Sequence, residues 1–204
     1  AAVTTINMTL DHVTFNSYDA VGRQVLSTNG LGEVGKIIYN ADGSVAESIQ
    51  FNTRLTGVAN MAGTAVSAAQ FTTLVGAMNT AAAALVPSLT NNDHLSFNVY
   101  DAAGRQTYSV NGLGETSRID YNGDGTVADS VQFVTRLTGI TSSSTAANIA
   151  TSLTTQLTTV NMTVDHVTFN SYDAAGRQVL STNGLGEAGK IIYNADGSVA
   201  ESIQ

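Results

Sequence analysis

The residues whose types suit chemistry recur at fixed places along the chain. His12, His94 and His166 each follow an Asp, and an imidazole beside a carboxylate is the pairing used in proton relays and, with further ligands, in metal sites. None has a second His nearby, so no chelate forms, and a catalytic relay has no reason to be copied down an array; the pairing reads as structural. Asp120-Tyr121-Asn122-Gly123-Asp124-Gly125 fits the first half of a calcium loop of the D-x-N-x-D-G kind, which makes Asp120, Asn122 and Asp124 the metal candidates. The twelfth position is Val131 where a bidentate Glu is required, and the equivalent stretches of the other copies open with Ile38 and Ile192. A hairpin turn accounts for all three copies, calcium for half of one. Asp19 and Arg23 form a third pair, read as an Arg reaching back across its own turn. There is no G-x-S-x-G, no phosphate-binding Gly loop and no pair of catalytic carboxylates. The sequence therefore predicts no enzyme and no cofactor.

What positions these residues is a repeat. Asp11 to Gly57 returns in diverged form at Asp93 to Gly139, and again from Asp165 to Gln204. Between 7–50 and 161–204 only Leu10/Val164, Val21/Ala175 and Val34/Ala188 differ. The offsets are 82 and 72 residues, so the full period is 154 and holds two unequal halves. The reading divides the chain into the end of a linker (1–10), a module (11–57), a helical linker (58–92), a second module (93–139), a shorter helical linker (140–164) and a third, truncated module (165–204). A chain that opens in a linker and stops in a module is expected to be a window on a longer array.

Within a module the pattern has period two. Val13 and Phe15 alternate with Thr14 and Asn16 in a half-buried strand, and Asp19-Ala20-Val21-Gly22 then supplies a type I turn closed by a bulge. Arg23–Thr28 returns, Asn29-Gly30-Leu31-Gly32 predicts a loop longer than two residues, Val34–Asn40 is a third strand, and Asn40-Ala41-Asp42-Gly43 turns into Ser44–Phe51. Each module is thus a meander of about four antiparallel strands. Between Gly63 and Pro87 the period changes: Phe71, Leu74, Val75, Met78, Ala82 and Leu85 fall on one helical face, with Thr64 as cap and Pro87 as stop. Ile149, Leu153, Leu157 and Val160 mark a shorter helix. The fold class is a β-rich α+β repeat protein, its hairpin modules separated by amphipathic helices that bury their stripes on the sheets.

Composition narrows the function. With 43% hydrophobic and 12% charged residues in 204, the chain is expected to fold. A net charge of −8 without clustered Lys or Arg argues against nucleic acid. The absence of Cys removes disulfides, thiolate metal sites and Cys nucleophiles, and no apolar run is long enough to span a membrane.

The stretch YDAVGRQVLSTNGLGEVGKIIYNADGSVAES resembles the YD repeat of the Rhs family: Tyr-Asp, two residues, Gly-Arg, a strand, a Gly-containing turn, then an aromatic-turn-Gly unit. The match falls on Tyr18, Asp19, Gly22 and Arg23, on Tyr100, Asp101, Gly104 and Arg105, and on Tyr172, Asp173, Gly176 and Arg177, with Tyr39, Tyr121 and Tyr193 in the second unit. The resemblance implies β-hairpins coiling into a long sheet or shell, in secreted toxins or giant bacterial surface proteins. Two departures stand out: Asn40 follows Tyr39 in place of Asp, and helical linkers interrupt the strand array. Since a hollow shell needs continuous sheet, the expectation is a structural segment of an extracellular or cell-surface fibre or giant adhesin, its partners adjacent copies of its own repeat. The alternatives are an Rhs-type shell segment of a secreted toxin and a multivalent glycan-binding repeat, the latter disfavoured by the lack of Trp.

Overall fold

The computed structural model describes residues 5–7, 12–55 and 65–204. Asp11, Gly57 and Thr64 lie outside them, as does the side chain of Phe71. The elements are β1 (Thr5–Asn7), β2 (Thr14–Tyr18), β3 (Gln24–Asn29), β4 (Val34–Tyr39), β5 (Val45–Gln50), β6 (Ala65–Ser67), α1 (Ala68–Ala83), β7 (His94–Tyr100), β8 (Gln106–Asn111), β9 (Thr116–Tyr121), β10 (Val127–Gln132), α2 (Ala146–Gln156), β11 (His166–Tyr172), β12 (Gln178–Asn183), β13 (Ala188–Tyr193) and β14 (Val199–Ile203). Each module supplies the four-stranded antiparallel meander its alternation predicts. Among the described residues no helix is long and apolar enough to cross a membrane.

The chain divides into two compact units, 1–97 with 141–145 and 98–140 with 146–204. In the first, β2, β3, β4 and β5 pair in sequence order. Phe15, Leu26, Val34, Ile49 and Phe51 are buried, joined by Leu95 and Phe97. Helix α1 packs on β2 and β3 and sends Met78 and Ala82 into this core, as the period of the linker requires. Its cap is Ser67, not Thr64: the Ser67 hydroxyl accepts from the Gln70 N–H while the Gln70 side chain accepts from the Ser67 N–H at 2.9 Å, a capping box. The helix ends at Ala83, ahead of Pro87.

One expectation is overturned here. The helical linker does not interrupt the strand array, because β5 pairs directly with the start of β7, Glu47 opposite Phe97 and Gln50 opposite His94. The strand that ends at Gln50 is met again at His94. The edge of β5, which carries a single charge and so has little protection of its own, is thereby covered by the opening strand of the next module.

In the second unit the order from β8 to β14 again follows the sequence. The same junction recurs, with Asp129 opposite Phe169 and Gln132 opposite His166 across the second linker. The core gathers Val110, Val131, Phe133, Leu137 and Val167, with Ile149 and Leu153 from α2 and Leu157 just beyond it. The third module carries nearly the residues of the first yet leaves them exposed: Ala188 and Ile203 lie open where Val34 and Ile49 are buried.

Candidate functional site

Each module carries a cluster built on its Tyr-Asp-x-x-Gly-Arg turn. The Asp19 carboxylate accepts from the backbone N–H of Val21 (3.0 Å) and Arg23 (2.9 Å) and from Arg23 Nε (2.7 Å). A short acid can accept from the backbone two residues on, which is why Asp opens this turn. Gly22 donates to the Asp19 carbonyl at 3.1 Å with φ at +84°, the left-handed position that closes a type I turn. The register slips at Tyr18 immediately before it, which is the predicted bulge.

The Arg does more than face Asp19. Its guanidinium lies over the Tyr39 ring, 4.5 Å from the centroid, and Nη1 donates to the Asn40 carbonyl at 3.2 Å. The Tyr39 hydroxyl donates to the Gln24 carbonyl at 2.9 Å. A planar cation satisfies both a carboxylate in its plane and an aromatic face above it, which Lys cannot do. The cluster thus ties the turn after β2 to the turn after β4. It repeats with Asp101, Arg105 and Tyr121 (4.6 Å) and with Asp173, Arg177 and Tyr193 (4.5 Å).

These contacts set the charge state of the turn acids. Asp19 and Asp101 are held below the usual carboxylate range, chiefly by the backbone N–H of Arg23 and Arg105. Asp173 is held low by the Arg177 side chain first and its N–H second. The Asn40 turn has the same form: Asn40 Nδ2 donates to Ser44 Oγ, and Asp42 accepts from the Ser44 N–H and hydroxyl. Here Asp42, and not the Asn40 side chain, accepts the backbone N–H that Asp19 accepts in the first turn.

The YD tyrosine of the third module has a separate role. The Tyr172 hydroxyl donates to the Val127 carbonyl at 3.0 Å, and Asn170 Nδ2 donates to the same oxygen at 3.3 Å. This reaches back from the third module to the last strand of the second. Tyr18 opens the first module and is 59% exposed.

The calcium candidates are not drawn together. Asn122 and Asp124 both engage Thr126 in the turn. Asp120 sits on β9 directly opposite Asp129, and Arg118 pairs with both at 2.7 and 3.4 Å. Burial, followed by the Asp129 charge, raises the Asp120 pKa against the pull of Arg118. Among the described residues no group of three or more His, Asp or Glu has a metal-binding arrangement.

In the Asp-His pairs the acid is the engaged member. Buried Asp93 accepts from the N–H of Asn52 (2.8 Å) and of Ser88 (2.7 Å), and Asp165 accepts from Val134 and Asn161 (2.8 Å each). Each carboxylate pins the two ends of a linker to the strand that follows, while His12, His94 and His166 are exposed. The signal was present in the sequence as an Asp at one position of every copy.

No family model and no curated protein matches the chain. Among solved structures the chain is similar to a crystal structure of TcdB2-TccC3, with 13% identity over 93% of its length and a TM-score of 0.52. It is similar also to the Tc holotoxin pore of Photorhabdus luminescens, with 13% identity over 93% and a TM-score of 0.53. The chain shares its fold with the Tc toxins. It spans 8% of the length of each of those chains. The Tc toxin likeness supports the YD-repeat-like fold drawn from the Tyr-Asp and Gly-Arg pairs.

Proposed function

We propose that this chain is a stretch of the wall of an Rhs-type shell in a secreted, toxin-like protein. The observation that carries the reading is the continuity of pairing across the linkers, β5 to β7 and β10 to β11. The objection to a shell was that helices break the strand array; here they are excursions from it. The fold shared with Tc toxin structures points the same way, and favours the shell over a fibre or adhesin.

In this reading the Asp-Arg-Tyr clusters are structural pins that hold successive turns in line, and the chain performs no catalytic step. Its partners are neighbouring copies of its own repeat, met strand to strand, outside the cell. Electron microscopy of the natural protein that carries these repeats tests the proposal. Closed, hollow particles are expected; thin fibres with a regular axial repeat would return the assignment to a fibre or adhesin.

A further inference from the structure

Four Asn-Gly pairs occur in the chain, at 29–30, 111–112, 122–123 and 183–184. In such a pair the amide carbon of the Asn side chain and the backbone nitrogen of the Gly can close a succinimide ring, because no Cβ on the Gly screens its nitrogen. Sequence makes the four pairs equal; hydrogen bonding separates them.

Three are clamped. Asn29 Oδ1 accepts from the N–H of Leu31 and of Glu33 (3.0 Å each) while Nδ2 donates to the Glu33 carboxylate (2.6 Å). Asn111 holds Leu113, Glu115 and the Glu115 carboxylate in the same way, and Asn183 holds Leu185, Glu187 and the Glu187 carboxylate. The N–H groups of Gly30 and Gly184 are committed too, to the carbonyls of Val13 (3.0 Å) and Val167 (3.1 Å). Turning any of these side chains onto the next peptide nitrogen disrupts three hydrogen bonds at once.

The fourth pair lies in the turn between β9 and β10. Among the described residues the Asn122 side chain keeps one hydrogen bond, from Nδ2 to Thr126 Oγ1 at 2.9 Å. Asp124 takes the N–H and the hydroxyl of Thr126. Gly123 is exposed, and among the described residues nothing accepts from its N–H. The Asn122 carbonyl accepts from the Gly125 N–H (3.0 Å) and from Arg105 Nη1 (3.3 Å). That carbonyl belongs to the peptide that must give up the Gly123 proton, and a guanidinium beside it stabilises the negative charge left on the oxygen. The matching turns of the other modules carry Ala41 and Ala195 in place of Gly123, and their methyl groups obstruct the approach.

We propose that Asn122-Gly123 is a self-modifying site, at which Asn122 is converted to isoaspartate and aspartate with water as the co-reactant. The Gly123 nitrogen attacks Asn122 Cγ. The N–Cγ bond forms as the Cγ–Nδ2 bond breaks, and the departing nitrogen takes the Gly123 proton and leaves as ammonia. Water then opens the succinimide at either carbonyl, and a carboxylate remains where the amide was. The product places a new negative charge between Asp120 and Asp124, and its isoaspartate form lengthens the backbone inside the turn that Arg105 pins. The inference holds whether the modules line a shell or a fibre, because it concerns the chemistry of one turn.

The test is to age the full 204-residue chain in mildly alkaline buffer and to read tryptic peptides by mass spectrometry, with isoaspartate scored by isoaspartyl methyltransferase labelling and a digest of fresh protein as baseline. Val34 and Ala188 distinguish the peptides that carry Asn29 and Asn183. Asn122 is expected to convert at least about tenfold faster than Asn29, Asn111 and Asn183, since ring closure depends on close approach of the reacting atoms. G123A is expected to bring conversion at Asn122 down to the rate at Asn40. Its added methyl meets nothing within 4 Å and φ there is not left-handed, so the turn keeps its form. No conversion at Asn122, similar rates at all four pairs, a clamped pair converting first, or a G123A chain that converts as fast as its parent overturns the proposal.

Discussion

Arg105 sits where a carboxylate, a ring face and a backbone carbonyl converge, so the character of the guanidinium matters as much as its charge. R105K is expected to lower the Tm of the chain measurably. R136K, which alters only an exposed pair with Glu115, should change stability by less than about 0.5 kcal/mol. Paired thermal melts check the contrast. The Asp19–Arg23 half of the cluster is legible in the sequence because the partners lie within one turn. The Tyr39 half is not, since nothing in the spacing says that the turn after β4 lands beside the turn after β2.

Buried carboxylates separate from exposed ones at the same scale. Asp93 satisfies two backbone N–H groups, and D93A strands both, at an expected cost of about 2–4 kcal/mol. D93N keeps one acceptor oxygen and should cost less; chemical denaturation of the two variants decides it. The Asp-His pairing drew attention to the imidazole, yet the carboxylate carries the contacts.

The acids also titrate in opposite senses. Asp19, Asp101 and Asp173 have lowered folded pKa values. Their contribution is present above the ordinary carboxylate pKa and is lost as pH falls through the lowered values. Asp120 has a raised folded pKa. Its contribution is present below the ordinary value and is lost as pH rises through the raised one. R118M leaves Asp120 and Asp129 facing each other across the strands, and is expected to destabilise by about 1–2 kcal/mol at pH 7. The loss should shrink as the pH falls through the raised Asp120 pKa, where that carboxylate takes up a proton and the repulsion ends. Stability curves followed from neutral to acid pH measure it.

At the scale of elements, one glycine position in two settings isolates what a neighbour contributes. Gly114 and Gly186 share a left-handed φ, so an alanine at either is strained by about 1–2 kcal/mol. Only Gly114 has a backbone carbonyl where the new methyl must go. G114A is therefore expected to destabilise clearly more than G186A, a difference that denaturant melts of the two variants read directly. The strands themselves are largely legible, because period-two alternation and Asp/Asn-x-x-Gly turns are local signals. The helix of the first linker is legible by its face, but its start is not. Thr64 and Ser67 both suit a cap, and Ser67 is the one with Gln70 three residues on to complete the box.

At the scale of the whole chain, the sequence announces three copies, and that much follows from identity alone. What it does not announce is which strand each module's last strand meets. Alternation marks an edge as needing cover; it does not say whether a helix, another chain or the next module provides it. Across residues 51–93 no local signal survives, and the amphipathic helix lying between invites the inference that the sheet is broken there. The pairing of Gln50 with His94 and of Gln132 with His166, fixed by Asp93 and Asp165, reverses that inference and with it the ranking of shell and fibre.

The continuity of strand pairing across the linkers is the claim on which the rest depends, and native-state hydrogen exchange on the full chain tests it most directly. The amides that bridge 47–50 to 94–97 and 129–132 to 166–169 are expected to be protected as well as those inside the β3–β4 and β8–β9 hairpins. Exchange at the rate of exposed loops at both junctions, with the hairpins still protected, would contradict the account and make the modules separate beads on helical strings.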